Sequence, residues 1–297
     1  MRIAAVVVTY NRKELLEKNI RALLQQETEE TLDIIVIDNA STDGTSELIG
    51  KYKDSVHYVN TGNNLGGAGG FQYGIKYAAE YNYDYVWLMD DDCIPEITTL
   101  DAFLKVDKRL EGRYGFLSSK VLWKDKTICK MNIQRKNIWT NVNDWDNEIV
   151  KIQMASFVSL FLPMKIIREV GLPIKEFFIW TDDWEYTRRI SKLYDCYLVN
   201  ESIVIHYSIN NNGASIHKEK KDRLDRYNYL YRNDVFLYKR EGIEGVLYEI
   251  IRLILHMLRV LLLAKDNKMK RMMKIIIGTY RGLKFNPDIE KVERFKI

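Results

Sequence analysis

Three consecutive carboxylates, Asp90, Asp91 and Asp92, close the apolar run "YVWLM" at residues 85–89 of a 297-residue chain. Like charges side by side repel, and they lose solvation where they are even partly buried. A divalent cation resolves that conflict, since magnesium or manganese is commonly held by one or two carboxylates together with a phosphate. The plainer alternative is a solvated turn after a strand. A second acidic stretch, "WTDDWEYTRR", sets Asp182 and Asp183 at a helix start, where the helix dipole favours carboxylates. Capping accounts for one of the two. The pair, followed by Glu185 and Arg189, suggests an acid free to take a proton, with neighbours that orient it. His206 ends the stretch "SIVIH" and is either a satisfied core histidine or a ligand of a manganese-like ion beside carboxylates.

The elements that must position these groups alternate. "IAAVVV", "LDIIVID", "VHYVN" and "YDYVWLM" read as strands, and "NRKELLEKNIRALLQQ", "STDGTSELIGKY" and "GGFQYGIKYAAEY" as the helices between them. Strand and helix in strict succession predict an α/β fold, a Rossmann-like, mostly parallel sheet with helices on both faces. Such sheets bind ligands beyond the carboxyl ends of their strands. The polar residues fall there: Thr9, Tyr10, Asn11 and Arg12; Asp38, Asn39 and Ser41; Asn63 and Asn64; Asp90 to Asp92. Later, "MASFVSLFLP" reads as a buried strand, "WTDDWEYTRRISKLY" as a helix and "CYLVNESIVIHYS" as a strand pair.

The composition is that of a globular protein, 46% hydrophobic and 29% charged, with a net charge of +4 too small to point to nucleic acid. Cys93, Cys129 and Cys196 match neither a disulfide framework nor zinc-ligand spacing, so reduced thiols and a cytoplasmic setting are expected. "IAAVVV" is too short for a signal-peptide core. The stretch "NNLGGAGGFQYG" lacks the dinucleotide-binding glycine spacing, because Gln72 stands where a glycine is required, and it lacks a P-loop lysine. It reads either as close backbone approach to a ligand at a helix start, or as a tight turn with close helix packing.

In that order, "VVVTYNR", "VIDNASTDGT", "NLGGAGGFQYG", "WLMDDD" and "TDDWEYTRR" resemble the inverting family 2 glycosyltransferases, which have the GT-A fold. The resemblance covers about residues 1–240. It implies a catalytic region over residues 1–217, with a nucleotide-sugar half at about 1–95 and an acceptor half at about 96–217. Thr9, Tyr10, Asn11 and Arg12 would line the nucleotide pocket and Asp38 would read the base, with Asn39, Asn64, Gly66, Gly67 and Asp91 nearby. Asp90 and Asp92 match the "DxD" that holds Mn2+ or Mg2+, and His206 matches a further metal ligand used by some members. Asp183 matches the general base, supported by Trp180, Asp182, Glu185 and Arg189. Two departures stand out: Gln72 where many members carry Asn, and "DNAS" in place of two acids after strand two.

The resemblance implies direct displacement at an anomeric carbon. "NLGGAGGF" with a tryptophan ahead of the paired acids looks like the galactofuranosyltransferase branch, hence a UDP-sugar donor; a rhamnosyltransferase using dTDP-rhamnose is the alternative, and a lipid-linked glycan acceptor is expected because it fits the membrane contact read from the C-terminal region. A nucleotidyltransferase would carry a glycine-rich basic loop in place of "TYNRKE". A non-catalytic nucleotide-sugar-binding or scaffold protein would need no acid at position 183. Residues 218–297 read as a helical, basic, amphipathic extension. Within residues 246–264, Glu249, Arg252, His256 and Arg259 share an arc of about 80° at 100° per residue, and the rest is nearly all apolar. That pattern predicts a helix at the membrane interface rather than a span, with Lys265, Lys268, Lys270, Arg271 and Lys274 meeting anionic head groups on the inner face of the cell membrane. The alternatives are packing on the catalytic region or on a second copy in a homo-oligomer.

Overall fold

The computed structural model describes residues 1–292; the end of the expected region 218–297, residues 293–297, lies outside the described residues. Strand β1 (Arg2–Thr9) is buried from Ile3 onward. Because side chains alternate along a strand, Ala4, Val6 and Val8 point to one face and Ile3, Ala5 and Val7 to the other. Each set enters its own core. The first packs with Phe71, Ile75 and Ala78 of α3 (Gly66–Glu80). The second packs with Leu16, Ile20 and Leu23 of α1 (Lys13–Leu24) and Phe103 of α4 (Thr99–Leu110). An unbroken apolar strand therefore goes with a helical layer on either side.

Strands β3 (Val56–Asn60), β2 (Thr31–Asp38), β1 and β4 (Tyr85–Asp90) lie in that order and run parallel. Thr9 pairs with Asp38, Asp38 with Asn60 and Val8 with Asp90, so the strands end level at one edge. Beyond β4 the sheet becomes mixed. β8 (Leu160–Pro163) is antiparallel to β4, β6 (Leu117–Trp123) antiparallel to β8, and β9 (Cys196–His206) parallel to β6. β5 (Cys93–Pro95) returns antiparallel to β9 and sets Cys93 opposite His206, while β7 (Ile149–Ile152) pairs with the other end of β9.

Two segments differ from their patterns. "CYLVNESIVIH" is one strand of 11 residues, not a pair. Along it β6 jumps register, Ser119 facing Val199 and Lys120 facing Ile203. "NES" contains neither Gly nor Pro, and the chain bulges there instead of turning. "MASFVSLFLP" is extended as a strand only over its last four residues.

The glycine stretch is explained mostly by packing. Gly70 and Gly74 lie against β1, and a Cβ at either would overlap Val8 or Val6. Gly66 has φ +71, and a Cβ there would run into the Phe178 carbonyl. Gly67 alone of these has open space before it. Gln72 is buried and donates to the Pro173 carbonyl at 3.1 Å, which gives that departure a structural role.

The C-terminal helices are α7 (Tyr227–Lys239), α8 (Gly242–Leu263) and α9 (Lys268–Lys284), around Leu224, Tyr227, Tyr231, Val260 and Ile275. Three of the four residues in the polar strip of α8, Glu249, Arg252 and His256, point inward, contrary to an interfacial helix with its charges toward solvent, while Arg259 is exposed. Glu249 is buried, Arg252 pairs with it and with Asp234, and His256 Nδ1 lies 3.0 Å from the Tyr231 hydroxyl. The apolar side of α8 is exposed, Ile243 at 89% and Leu262 at 76%. Arg271 is also buried, tied to Asp266 and to the Ile216 carbonyl, and Lys274 pairs with Asp225 at 2.7 Å. Lys265, Lys268 and Lys270 remain at the surface. No helix among the described residues is long and apolar enough to cross a membrane.

Gly74→Ala forces α3 off the sheet and is expected to lower stability by about 1–3 kcal/mol. A urea midpoint equal to that of the wild type would contradict this packing.

Candidate active site

The level strand ends and the β5 return bring the acidic run to a crowded corner. Thr9 Oγ1, at the end of β1, donates to Asp91 Oδ2 at 2.7 Å. Arg12 reaches Asp91 Oδ1 at 3.4 Å and bonds Asp92 Oδ2. On the other side of Asp92, His206 Nε2 lies 3.2 Å from Oδ1. Burial and repulsion from Asp92 push the half-buried Asp90 up to about 6. Burial pushes Asp91 up to about 7 against the pull of Arg12. Asp92 is buried too, yet its bonds to His206 and Arg12 hold it below the usual carboxylate range. Burial alone would lower His206, but the bonds and field of Asp92 outweigh it and raise the imidazole to about 10.

The second acid pair faces the same corner. It opens α6 (Asp182–Ser191), after a loop in which Phe178, Trp180 and Thr181 all have positive φ, at 63°, 67° and 66°. Such conformations cost non-glycine residues roughly 1–3 kcal/mol each and persist only where the surroundings enforce them. Burial raises Asp182 to about 7, and Asp90 adds to the rise. Burial, then Asp182, then Asp90 push Asp183 well above the carboxylate range. The strand-end acids and the helix-start acids therefore share one electrostatic site. Asp90, Asp91, Asp92, Asp182 and Asp183 outnumber the cations beside them, Arg12 and His206.

Other expected residues stand apart from that corner or play different parts. Glu185 and Arg189 form a bidentate pair at 3.0 and 2.9 Å, and Arg189 also donates to the carbonyls of Val170 and Leu172. They brace α6 against the end of α5 (Met164–Val170). Trp180 packs edge-on against Tyr227 at 5.1 Å. Asp38 is fully buried and accepts from Ser41 N at 2.8 Å and the Tyr58 hydroxyl at 2.6 Å. Asn11 Oδ1 accepts from Thr42 N, before α2 (Thr45–Ile49), and Asn39 Nδ2 donates to the Gly66 carbonyl at 2.9 Å. Asn64 Oδ1 accepts from Gly66 N at 2.9 Å. Tyr10 is 45% exposed beside them. A cleft of about 630 Å³ opens along α3, lined by Asn64, Leu65, Gln72, Phe178 and Glu290; none of the acid cluster lines it.

Sequence reasoning missed Cys93, Asn132 and Tyr58. Cys93 lies with Asp92 and His206 in one group of potential ligand atoms, all within 4.8 Å of one another. Burial pushes its thiol far up, so it is a neutral wall here and not a thiolate. Asn132 Oδ1 sits 2.8 Å from His206 Nδ1. That bond keeps the proton of a neutral imidazole on Nδ1 and leaves the Nε2 lone pair facing Asp92. Asn132 belongs to an irregular segment with no local pattern to mark it.

The donor set suits a divalent cation. A carboxylate and an imidazole suit manganese, and neighbouring ligands at about 2.1 Å in an octahedral shell lie about 3 Å apart. Asp92 Oδ1 and His206 Nε2 are spaced at 3.2 Å. Asp90 stands within electrostatic reach of both, and the electrostatic deficit of the corner is of the sign a cation relieves.

The Glycosyl transferase family 2 model matches residues 4–111, from β1 through the acidic run to α4. Galactofuranosyltransferase GlfT1 of Mycolicibacterium smegmatis is 24% identical over 266 residues, 82% of this chain and 85% of that protein. The GlfT1 of Mycobacterium tuberculosis strain H37Rv is 38% identical over 195 residues, 63% of this chain and 64% of that protein.

Residues 4–111 form a glycosyltransferase family 2 domain, and the chain is a glycosyltransferase.

Its fold is that of the GT-A glycosyltransferases. The mannosyltransferase PcManGT of Pyrobaculum calidifontis, solved with GDP-Man and Mn2+, superposes with a TM-score of 0.57 at 14% identity, over 95% of this chain and 87% of that one. In this glycosyltransferase the match of residues 4–111 takes in Thr9, Arg12 and the three aspartates, and stops short of Asp183 and His206. The placement of those two rests on the fold.

A cation entering between Asp92 and His206 must displace the imidazole proton. Mn2+ binding is therefore expected to release a proton and to tighten with rising pH, by roughly tenfold per unit between about pH 7.5 and 9. Calorimetry in buffers of different ionisation enthalpy reads the proton. His206→Ala is expected to lose most of this pH dependence, and equal affinity at both ends of the range in the wild type would remove His206 from the metal site.

Proposed function

We propose that this glycosyltransferase moves galactofuranose from UDP-galactofuranose to a hydroxyl of a lipid-linked glycan, with inversion, at the cytoplasmic face of the membrane. The observation that carries the catalytic part is the electrostatic meeting of Asp183 with Asp90 at one corner of the sheet. The choice of sugar is supported by relatives named as galactofuranosyltransferases.

On this reading Asp183 accepts the proton of the acceptor hydroxyl. That oxygen bonds to the anomeric carbon while the bond from the same carbon to the diphosphate oxygen breaks on the opposite side, which inverts the centre. The base must be ionised to act, so transfer rises as pH rises through the elevated pKa of Asp183. Asp92 and His206, with Asp90, would hold a divalent cation, which when bound supplies positive charge toward the diphosphate. Thr9 and Arg12 fix Asp91 and Asp92, and the strand ends around Asp38 and Asn39 supply the nucleotide side.

The membrane part is supported by the exposed outer face of α8, continued by Met269 at 71% on α9 and bordered by Lys265, Lys268 and Lys270. Apolar side chains beside lysines suit a helix lying at the head-group level of anionic lipid.

Asp183→Asn is expected to cut transfer by about 10²- to 10⁴-fold, while Mn2+-dependent UDP affinity stays near wild type. Retained turnover would take the base role from Asp183, and faster transfer from dTDP-rhamnose than from UDP-galactofuranose would overturn the sugar. For the membrane part, the protein is expected to float with vesicles containing phosphatidylglycerol, and Leu247→Gln with Ile254→Gln to reduce flotation several-fold. Unchanged flotation, or a stable dimer that the two substitutions break, would assign the apolar face to a second copy instead.

A further inference from the structure

The loop that presents the second acid pair is strained at Phe178, Trp180 and Thr181, and nothing in its own sequence enforces that shape. The enforcing groups come from the C-terminal helices. Asn233 of α7 is fully buried, and its Nδ2 reaches the carbonyls of Phe177, Ile179 and Trp180 at 3.0, 3.1 and 2.9 Å. Arg232 Nε donates to Asn233 Oδ1 at 2.9 Å, which fixes the amide's orientation. One residue on, Asp234 Oδ1 accepts from Thr181 Oγ1 at 2.6 Å. Asp234 Oδ2 in turn pairs with Arg252 of α8 at 2.7 Å, and Arg252 is held by Glu249 through two bonds at 2.7 and 2.9 Å. The Thr181 carbonyl then accepts from Glu185 N at 2.8 Å, so the clamped residue is the one from which α6 starts.

Each link is directional, and all are buried or part-buried. Three carbonyls converge on an amide with two hydrogens, so one bond is shared, and Arg232 Nη2 adds a donor to the Phe177 carbonyl at 3.3 Å. Thr181 is fixed at its side chain by α7 and at its carbonyl by α6. Asp183 follows two residues later, with no glycine between to absorb an error. Small misplacement of a proton acceptor costs rate far more than it costs donor binding.

We infer that Asn233, Asp234 and Arg252 are positioning residues for transfer: they clamp the strained loop at residues 177–181 and so aim Asp183 at the Asp90 corner. The C-terminal helical region, by this account, is part of the apparatus that shapes the active site as well as a surface. The inference rests on the reading of Asp183 as the base.

The test compares Thr181→Val, Thr181→Ser and Asn233→Leu in the full-length protein, reading kcat, the acceptor KM, Mn2+-dependent UDP affinity and the melting temperature. Thr181→Val and Asn233→Leu are expected to lower kcat tenfold or more with UDP affinity within threefold of wild type. Thr181→Ser, which restores the hydroxyl, is expected to return kcat to within threefold. Wild-type kcat in Thr181→Val would overturn the inference, as would a loss that Thr181→Ser does not recover or that UDP binding follows in proportion. Where Asn233→Leu does not fold, the Thr181 pair carries the decision. Asp183→Asn separates the two claims: an inactive Asp183→Asn beside a fully active Thr181→Val removes the clamp and leaves the base, whereas an active Asp183→Asn removes the base itself.

Discussion

Uncompensated negative charge at the carboxyl edge of the sheet is the constraint around which the rest of this protein is arranged. Two acidic segments separated by about ninety residues of chain deliver their carboxylates to one corner, where burial and mutual repulsion hold most of them above their usual range. A protein that needed only stability would not collect them, because removing solvent from unpaired carboxylates is unfavourable and apolar groups would fill the space better. Arg12 and His206 relieve Asp92 alone to below the usual range. The others keep an excess of negative charge that a divalent cation would relieve. Under the proposed function, that excess of negative charge has a purpose.

The sheet's register produces the corner. Parallel pairing of β1 with β2 and β4 ends three strands level and sets Val8 beside Asp90, one residue before Thr9 meets Asp91. The antiparallel return of β5 along β9 then carries Asp92 and Cys93 to His206. A slip of one residue in that short pairing would turn His206 to the opposite face, because strand side chains alternate. The position of the histidine at the end of β9, after a bulge that resets the register, is thus a geometric requirement of the site.

The first half of this arrangement was legible in the sequence because its signals are local. Continuous β-branched runs ending in polar residues gave β1 to β4 and their rim, and "DDD" and "TDDW" named their acids. The second half was less legible because its decisive contacts are not local. β5 is three residues long, too short for periodicity to mark. Asn132, which orients His206, lies in an irregular segment, and Asp234, which clamps Thr181, looks like any helical acid. Tyr58 could have been anticipated as a rim residue of β3, but nothing local pairs it with Asp38. The glycines show the opposite limit. They announced close approach, and only the structure showed that for Gly66, Gly70 and Gly74 the approaching group is this chain itself.

Helix α8 makes the same point about periodicity with larger consequences. The spacing of Glu249, Arg252 and His256 establishes that they share a face, and no amount of periodicity says which way that face turns. Ordinary amphipathic helices on globular proteins turn the apolar side inward. Here the inward side is polar because a buried anion, Asp234, is already committed to Thr181 and requires a cation, and Arg252 supplies it, with Glu249, raised by burial to about 7, accepting the guanidinium's other hydrogen bonds. Once that pairing fixes the rotation of α8, Ile243, Leu247, Ile254 and Leu262 are left outside by geometry. The exposed apolar face and the clamp on the acid-bearing loop are therefore two sides of one choice. A substitution that relaxed the inner pairing would free the helix to bury its apolar side, and would do so by releasing the loop that carries Asp183.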